Sequence, residues 1–409
     1  MSLFGPVLNA IASQPITFAR AMEILSGPGS VAGPAVNINS VMGLPAAYAC
    51  NRVLAEGVAT LPLDLFERME PRGRRKATEH PLYWLLHTEP NPLMTSYKLR
   101  ETLQGHLGFR GNAFCEIDFG RDGKPKALWP LRPDMMGRPK LDSSGGLLYP
   151  YIAPDGTGYE IPGHRVLHLR GLSDDGLWGY APLTVFRESF GDALAQREYG
   201  SRFFGNSARP GGVLQAKGKL SPEVADRMAT SWRVAHEGLS QMHRVAVLEE
   251  GVEWKSVGMS NDDAQFVEMR QLTLGEMARI FNIKPHKIGD LLRSTYSNIE
   301  QQSIEHVTDT LMPWLVNWEQ QLDKSLLLST ERGRFYTKHI VAGLLRGDAQ
   351  QRADYYVKLW GIGALSDDDI REMEDQNPLP DGLGEAYYRP LNYAVIGAPV
   401  ATATGVAVG

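Results

Sequence analysis

Through about residue 170 stretches with an apolar period of two alternate with helical ones, and from Leu183 the period is mainly three to four. Helix formers predominate from Ala46 to Val58, and Leu61, Leu63 and Leu65 then alternate with Pro62, Asp64 and Phe66, which predicts a strand over Leu61–Glu67. The basic turn P-R-G-R-R-K at Pro71–Lys76 ends that strand. Two helical stretches are expected at Pro81–Leu86 and Thr95–Phe109, followed by a strand in which Ala113, Cys115, Ile117 and Phe119 share one side. Arg121-Asp122-Gly123-Lys124 signals a hairpin, because Asp-Gly supplies the positive φ of a tight turn, and the return strand is Ala127–Leu131. A second hairpin pairs Leu147–Ala153 with Tyr159–Ile161 around P-D-G-T-G, and Val166–Leu169 is a further strand. This half is α+β with antiparallel pairing.

From Leu183 the stripe Phe186, Phe190, Ala193, Arg197, Ser201 and Phe204 marks a helix that Gly205-Asn206 stops, with Glu188, Asp192, Gln196 and Glu198 on the opposite side. Ser221-Pro222-Glu223 starts another, with a capping hydroxyl, Pro in the first turn and an acid near the positive end of the dipole. Strands at Val245–Leu248 and Val252–Val257 would flank Glu249-Glu250-Gly251, completing a small α/β insert. A helix runs from Ser260 to Phe281, with Asp262 and Asp263 in its first turn, and Pro285 closes it. Lys284–Ser297 reads as an irregular basic loop. The longest helix, Asn298–Leu328, carries the stripe Ile304, Val307, Leu311, Leu315, Trp318, Leu322 and Leu326, and Pro313 within it predicts a kink. A strand at Arg334–Ile340 and helices at Gly347–Trp360 and Ser366–Asp375 follow. Ser366 with Asp369 resembles a capping box, so the D-D-D at Asp367 is read as dipole chemistry rather than metal binding. The Gly- and Pro-rich Leu25–Pro45 reads as a flexible arm, and Ala394–Gly409 as a tail with little to anchor it.

Composition narrows the function. At 409 residues, 43% hydrophobic and 22% charged, the chain should fold into two or more domains. A formal charge of −5 argues against a protein that grips phosphate backbones through a basic face, and the cations of Pro71–Lys76 read as a solvated hairpin tip. Two cysteines, Cys50 and Cys115, are expected as structural thiols. No run of 18 apolar residues exists, so no membrane-spanning helix is expected, and Met1–Arg20 makes a poor signal peptide.

Candidate chemistry is sparse. The phosphate-loop, nucleophile-elbow, H-E-x-x-H and C-x-x-C patterns are absent, and Gly211–Lys219 has the wrong spacing for a phosphate loop. His164 and His168 lie four apart in a strand, about 13 Å, too far to share an ion. His236 and His243 are two helical turns apart, about 10 Å. No catalytic residue, metal site or cofactor is expected. A metal-dependent nuclease built on scattered acids such as Asp262, Asp263 and Glu305 stays open as an alternative, as does a monomeric structural adaptor.

One order of phrases is informative. It begins with G-Y-A-P-L from Gly179 and R-E-Y-G-S-R-F-F-G-N-S-A-R-P-G-G-V-L at Arg197–Leu214. It continues through S-N-D-D-A-Q-F-V-E-M-R from Ser260 and S-N-I-E-Q-Q from Ser297 to T-L-M-P-W-L at Thr310. In that order these resemble the portal proteins of tailed bacteriophages in the HK97-like family, over about Ala46–Pro380; a gene transfer agent would carry a similar chain. The resemblance implies a multi-domain α+β portal fold that assembles as a ring. Its parts would be a flexible N-terminal arm (1–44), a wing (45–180), a first stem helix (181–205), a small α/β clip (206–259) and a second stem helix (260–283). A tunnel loop (284–297), a wing segment with the kinked helix (298–344), a helical crown (345–393) and a flexible tail (394–409) would complete it.

The implied function is a homo-oligomeric, dodecameric ring at a unique capsid vertex, through which double-stranded DNA is packaged and later ejected. The implied partners are further copies of the chain, the major capsid protein, the terminase large subunit, a head-tail adaptor or connector protein and the DNA itself, with no membrane. ATP hydrolysis would belong to the terminase, and the protein, made in the host cytoplasm, would reside in the virion. Within this frame Lys287, Arg293, Ser294, Thr295 and Tyr296 are expected to meet DNA in the channel, and Lys217, Lys219 and Arg233 to lie on the docking surface of the clip.

Overall fold

In the computed structural model, Pro45 opens a helix at its first turn, where a missing N–H costs nothing, and two compact units divide after Ile340. The structure describes residues 11–13, 29–205, 212–215, 221–224, 226–228, 230, 253–256, 261–289, 304–341, 349–374 and 376–388. In the first unit β1 is Ile11–Ser13, α1 Ile38–Met42, α2 Pro45–Thr60, β2 Leu63–Arg68, β3 Arg74–Lys76, α3 Pro81–His87 and α4 Ser96–Arg110. β4 is Asn112–Phe119, β5 Pro125–Leu131, β6 Lys140–Leu141, β7 Leu147–Ile152, β8 Gly158–Pro162 and β9 Val166–Arg170. The pairing is antiparallel throughout, in sheets ordered β1-β8-β7-β6, β12-β2-β3 and β5-β4-β9, where β12 is Phe335–His339. Both expected hairpins are present. The strand that begins at Asn112 is buried on both faces through Ile117, with the Glu116 carboxylate held by Arg165 at 3.1 Å.

The helical half follows. α5 is Pro182–Val185 and α6 Arg187–Gly205; α7 is Asn261–Ile280. Between them Gly212–Gln215 (β10) pairs with Glu253–Ser256 (β11). β11 falls within the expected Val252–Val257, but its partner was not foreseen, and Val245–Leu248 lies outside the described residues. The long helix, described from Ile304, holds a π-helical turn at His306–Leu311 and continues as α8, Met312–Leu326. Its stripe from Val307 to Leu326 is buried as the spacing required, and α8 packs on both β9 and β12, joining two sheets. Trp318, 1% exposed, sits in this seam and donates its indole N–H to Gln104 Oε1 at 2.8 Å.

Residues 29–44 differ from the arm expected with little to pack. Asn37 and Ser40 form a reciprocal capping box for α1, and Val36, Val41 and Leu44 are buried. Arg197 of α6 donates to the Gly43 carbonyl at 2.6 Å. Three apolar residues and one cap are enough to dock a segment whose Gly and Pro density suggested otherwise.

In the second unit α9 is Ala349–Gly361 and α10 Asp367–Met373. The Ser366–Asp369 capping box is present in both directions. Each acid of the triplet meets a protein donor: Asp367 takes the Trp360 indole N–H at 2.7 Å, Asp368 the Leu379 amide at 2.7 Å and Asp369 the Ser366 amide at 2.7 Å. No described helix is long and apolar enough to cross a membrane.

Candidate functional site

The Gly-rich phrase at Gly179 turns out to be a junction. Gly111 ends α4 in the left-handed region (φ 64°), and its carbonyl accepts the Gly171 amide at 2.8 Å. A Cβ on Gly179 would lie 2.0 Å from that carbonyl oxygen, so only glycine fits. Asn112 holds the approach from both sides, donating Nδ2 to the Gly179 carbonyl at 2.7 Å and accepting the Gly179 amide on Oδ1 at 2.8 Å. His168 Nε2 lies 3.0 Å from the same Oδ1, and the Tyr149 hydroxyl lies 3.2 Å from His168 Nδ1. His168 is thus a buried structural residue, and burial first, then Arg170, pushes its pKa down to about 2. Asn317 of α8 donates to the Arg170 carbonyl at 2.6 Å, which fixes the far side. The junction orients the chain that enters α5 and α6.

The second constellation is the root of the basic loop. α7 ends at Ile280, and Asn282 takes a positive φ of 52°, a conformation Asn tolerates. Pro313 has no N–H for the carbonyl of Asp309 four residues back, and Asn282 Nδ2 donates to that carbonyl at 3.0 Å. Thr310 Oγ1 returns a bond to the Asn282 carbonyl at 2.7 Å. The kink expected at Pro313 is therefore expressed as the π-turn before it, and a residue from the other side of the loop meets the carbonyl. Lys284 Nζ lies 3.5 Å from Glu305 and 4.0 Å from Asp309, and Phe281 packs edge-to-face on Phe109 at 5.4 Å. The segment that follows α7 is thereby tied to the π-helical turn.

Lys287 sits on this root, in the 3-10 turn Pro285–Ile288, exposed and without an ion pair among the described residues. Burial, then the charges of Lys287 and His286, keep His306 neutral with a pKa of about 4. Arg293, Ser294, Thr295 and Tyr296, and the expected docking residues Lys217, Lys219 and Arg233, lie outside the described residues. Glu305, one of the acids that a nuclease would need, is spoken for by Lys284. The described residues contain no group of three or more His, Cys, Asp or Glu placed to hold a metal. Both cysteines are buried, and burial raises their thiol pKa values, Cys50 to about 12, so neither is a reactive thiolate. What this root presents is a cation on a fixed base. Asn282, Thr310 and Asn112 were not foreseen as contributors; the F-N-I end of α7 and the orphan carbonyl required by Pro313 were the available signals for the first two.

Comparison with known proteins agrees with this arrangement. Residues 45–375 match the family described as phage portal protein. The chain is 33% identical over 397 residues to a probable portal protein of Streptomyces phage phiC31, covering 91% of this chain and 83% of that one. It is 28% identical over 373 residues to the portal protein of Enterobacteria phage HK97, covering 90% and 87% respectively. Among solved structures, the fold resembles a chain in the neck of a native gene transfer agent particle computed with C12 symmetry, with a TM-score of 0.57, 22% identity and coverage of 88% of this chain and 99% of that one. A proline-kinked helix tied to the end of α7, on an antiparallel α+β body, is the setting in which these matches fall, and the chain belongs to the phage portal protein family.

Proposed function

We propose that copies of this chain form a dodecameric ring at one vertex of a capsid, and that double-stranded DNA passes through its centre during packaging and ejection. The observation that carries this reading is the loop root. The segment after α7 is tied to the π-helical turn through Asn282, Thr310 and Lys284, and Lys287 stands on it without an ion pair among the described residues. The C12 symmetry of the similar gene transfer agent neck supports the ring number. Lys287 and Arg293, with Ser294, Thr295 and Tyr296, supply a few weak contacts to the sliding polyanion. A net charge of −5 per chain keeps the whole from binding it tightly.

In this reading 181–205 and 260–283 are the two stem helices, 206–259 is the clip, and 345–393 is the crown. Lys217, Lys219 and Arg233 of the clip meet the terminase large subunit first and the head-tail adaptor afterwards, while the wing meets the major capsid protein. ATP is hydrolysed by the terminase. The test is a packaging assay with Lys287→Ala and Arg293→Ala together. Rings should form as in the parent, and DNA filling should fall; normal filling in intact rings would refute the role of the loop.

A further inference from the structure

The basic hairpin after β2 has no part in the conduit reading, and its arginines are held in place. The register sets Phe66 between Tyr336 of β12 and Lys76 of β3, and Arg68 opposite Arg74. Side chains alternate across a strand, so these residues share one face. The Phe66 and Tyr336 rings stack at 5.8 Å and 27°. The Arg68 guanidinium lies 4.6 Å from the Tyr336 ring and that of Arg74 lies 4.4 Å from Phe66, giving the order cation, ring, ring, cation. Both arginines are exposed, and neither makes an ion pair with a described residue. Arg75, on the other face, is bound to Glu67 at 2.8 Å. A guanidinium laid on a ring loses rotational freedom yet keeps its N–H edge free, which is a prepared fork for an oxyanion.

β3 is also the outer strand of its sheet, so one backbone edge of Arg74–Lys76 has no strand beside it among the described residues. Cations on an edge repel strands of like charge. The same edge, with the Arg74 guanidinium fixed on it by Phe66, suits a strand of opposite charge. Duplex DNA would meet the guanidinium groups but has no use for a strand edge. We propose that this corner captures an extended acidic segment of a partner polypeptide, which adds to β3 as a fourth strand and sets a carboxylate against Arg74. The proposal stands apart from the conduit reading and would survive its failure.

The experiment titrates the full chain into a short fluorescein-labelled peptide that alternates Glu with Val and follows anisotropy. The peptide should bind, and Arg74→Ser should weaken it by about tenfold or more at an unchanged unfolding midpoint. If that variant fails to fold, Arg74→Lys keeps the charge and removes the planar fork, and weaker binding is again expected. A peptide N-methylated at alternate positions should not bind, since it cannot pair with β3. Equal binding by the variants, equal binding by the N-methylated peptide, no binding by the parent, or displacement of the peptide by duplex DNA of equal charge at lower concentration would each overturn the proposal.

Discussion

Asn112 holds together two backbone segments 67 positions apart, with a donor and an acceptor of one side chain on the two polar groups of Gly179. Replacing it with Ala would leave both groups buried and unpaired. The expected loss is about 3 kcal/mol of unfolding free energy, read by urea denaturation. The buried histidines give a second expectation. His106 and His306 have pKa values pushed down to about 4, and His168 to about 2, in each case first by burial. The unfolded chain takes these protons near pH 6.5 while the folded chain refuses them, so stability falls as pH drops from about 6.5 toward 4. Glu116 works in the opposite sense, since burial lifts it to about 7, but three histidines outweigh one carboxyl. A thermal midpoint that fell with pH equally in His168→Gln and the parent would remove His168 from this account. Sequence made Gly179 conspicuous, weighed His168 only as a metal ligand and left Asn112 unremarked, because a hydrogen bond across the fold has no local signature.

Elements were more legible than their partners. The stripe Val307 to Leu326 foretold which face of the long helix is buried, and Pro313 foretold a break. That the break takes the form of a π-turn closed by Asn282 depends on two segments meeting, which periodicity does not encode. Asn282→Ala removes a donor from the Asp309 carbonyl at a site facing solvent, so the expected cost is modest, about 1 kcal/mol. Hydrogen exchange should quicken in 306–312 and stay unchanged in α4; protection unchanged in both would refute the tie. β10 escaped notice because Gly212–Gln215 is short and follows Pro and Gly, the residues that ordinarily end a strand pattern. Residues 29–44 were misread for the same reason: composition argued for looseness, whereas one capping box and three buried apolar residues dock the segment.

At the scale of the whole molecule, charge is unevenly placed. Positions 341–409 contain five Lys and Arg and ten Asp and Glu, so they account for the entire formal charge of −5, and 1–340 are balanced. Twelve copies would gather about −60, all of it from 341–409, and in the proposed reading that charge opposes tight binding of a polyanion. The family was legible from the order of phrases between Gly179 and Leu315, in which Gly179 marks a close backbone approach and Pro313 a break in a helix. Of the positions expected to touch partners Lys287 alone is among the described residues, and an exposed cation carries no such mark. The central claim is assembly into a ring, and native mass spectrometry with negative-stain imaging of the purified chain, without DNA, tests it most directly. Closed rings with a central hole and near twelvefold symmetry are the predicted result; a chain that stays monomeric or dimeric at every concentration would contradict it.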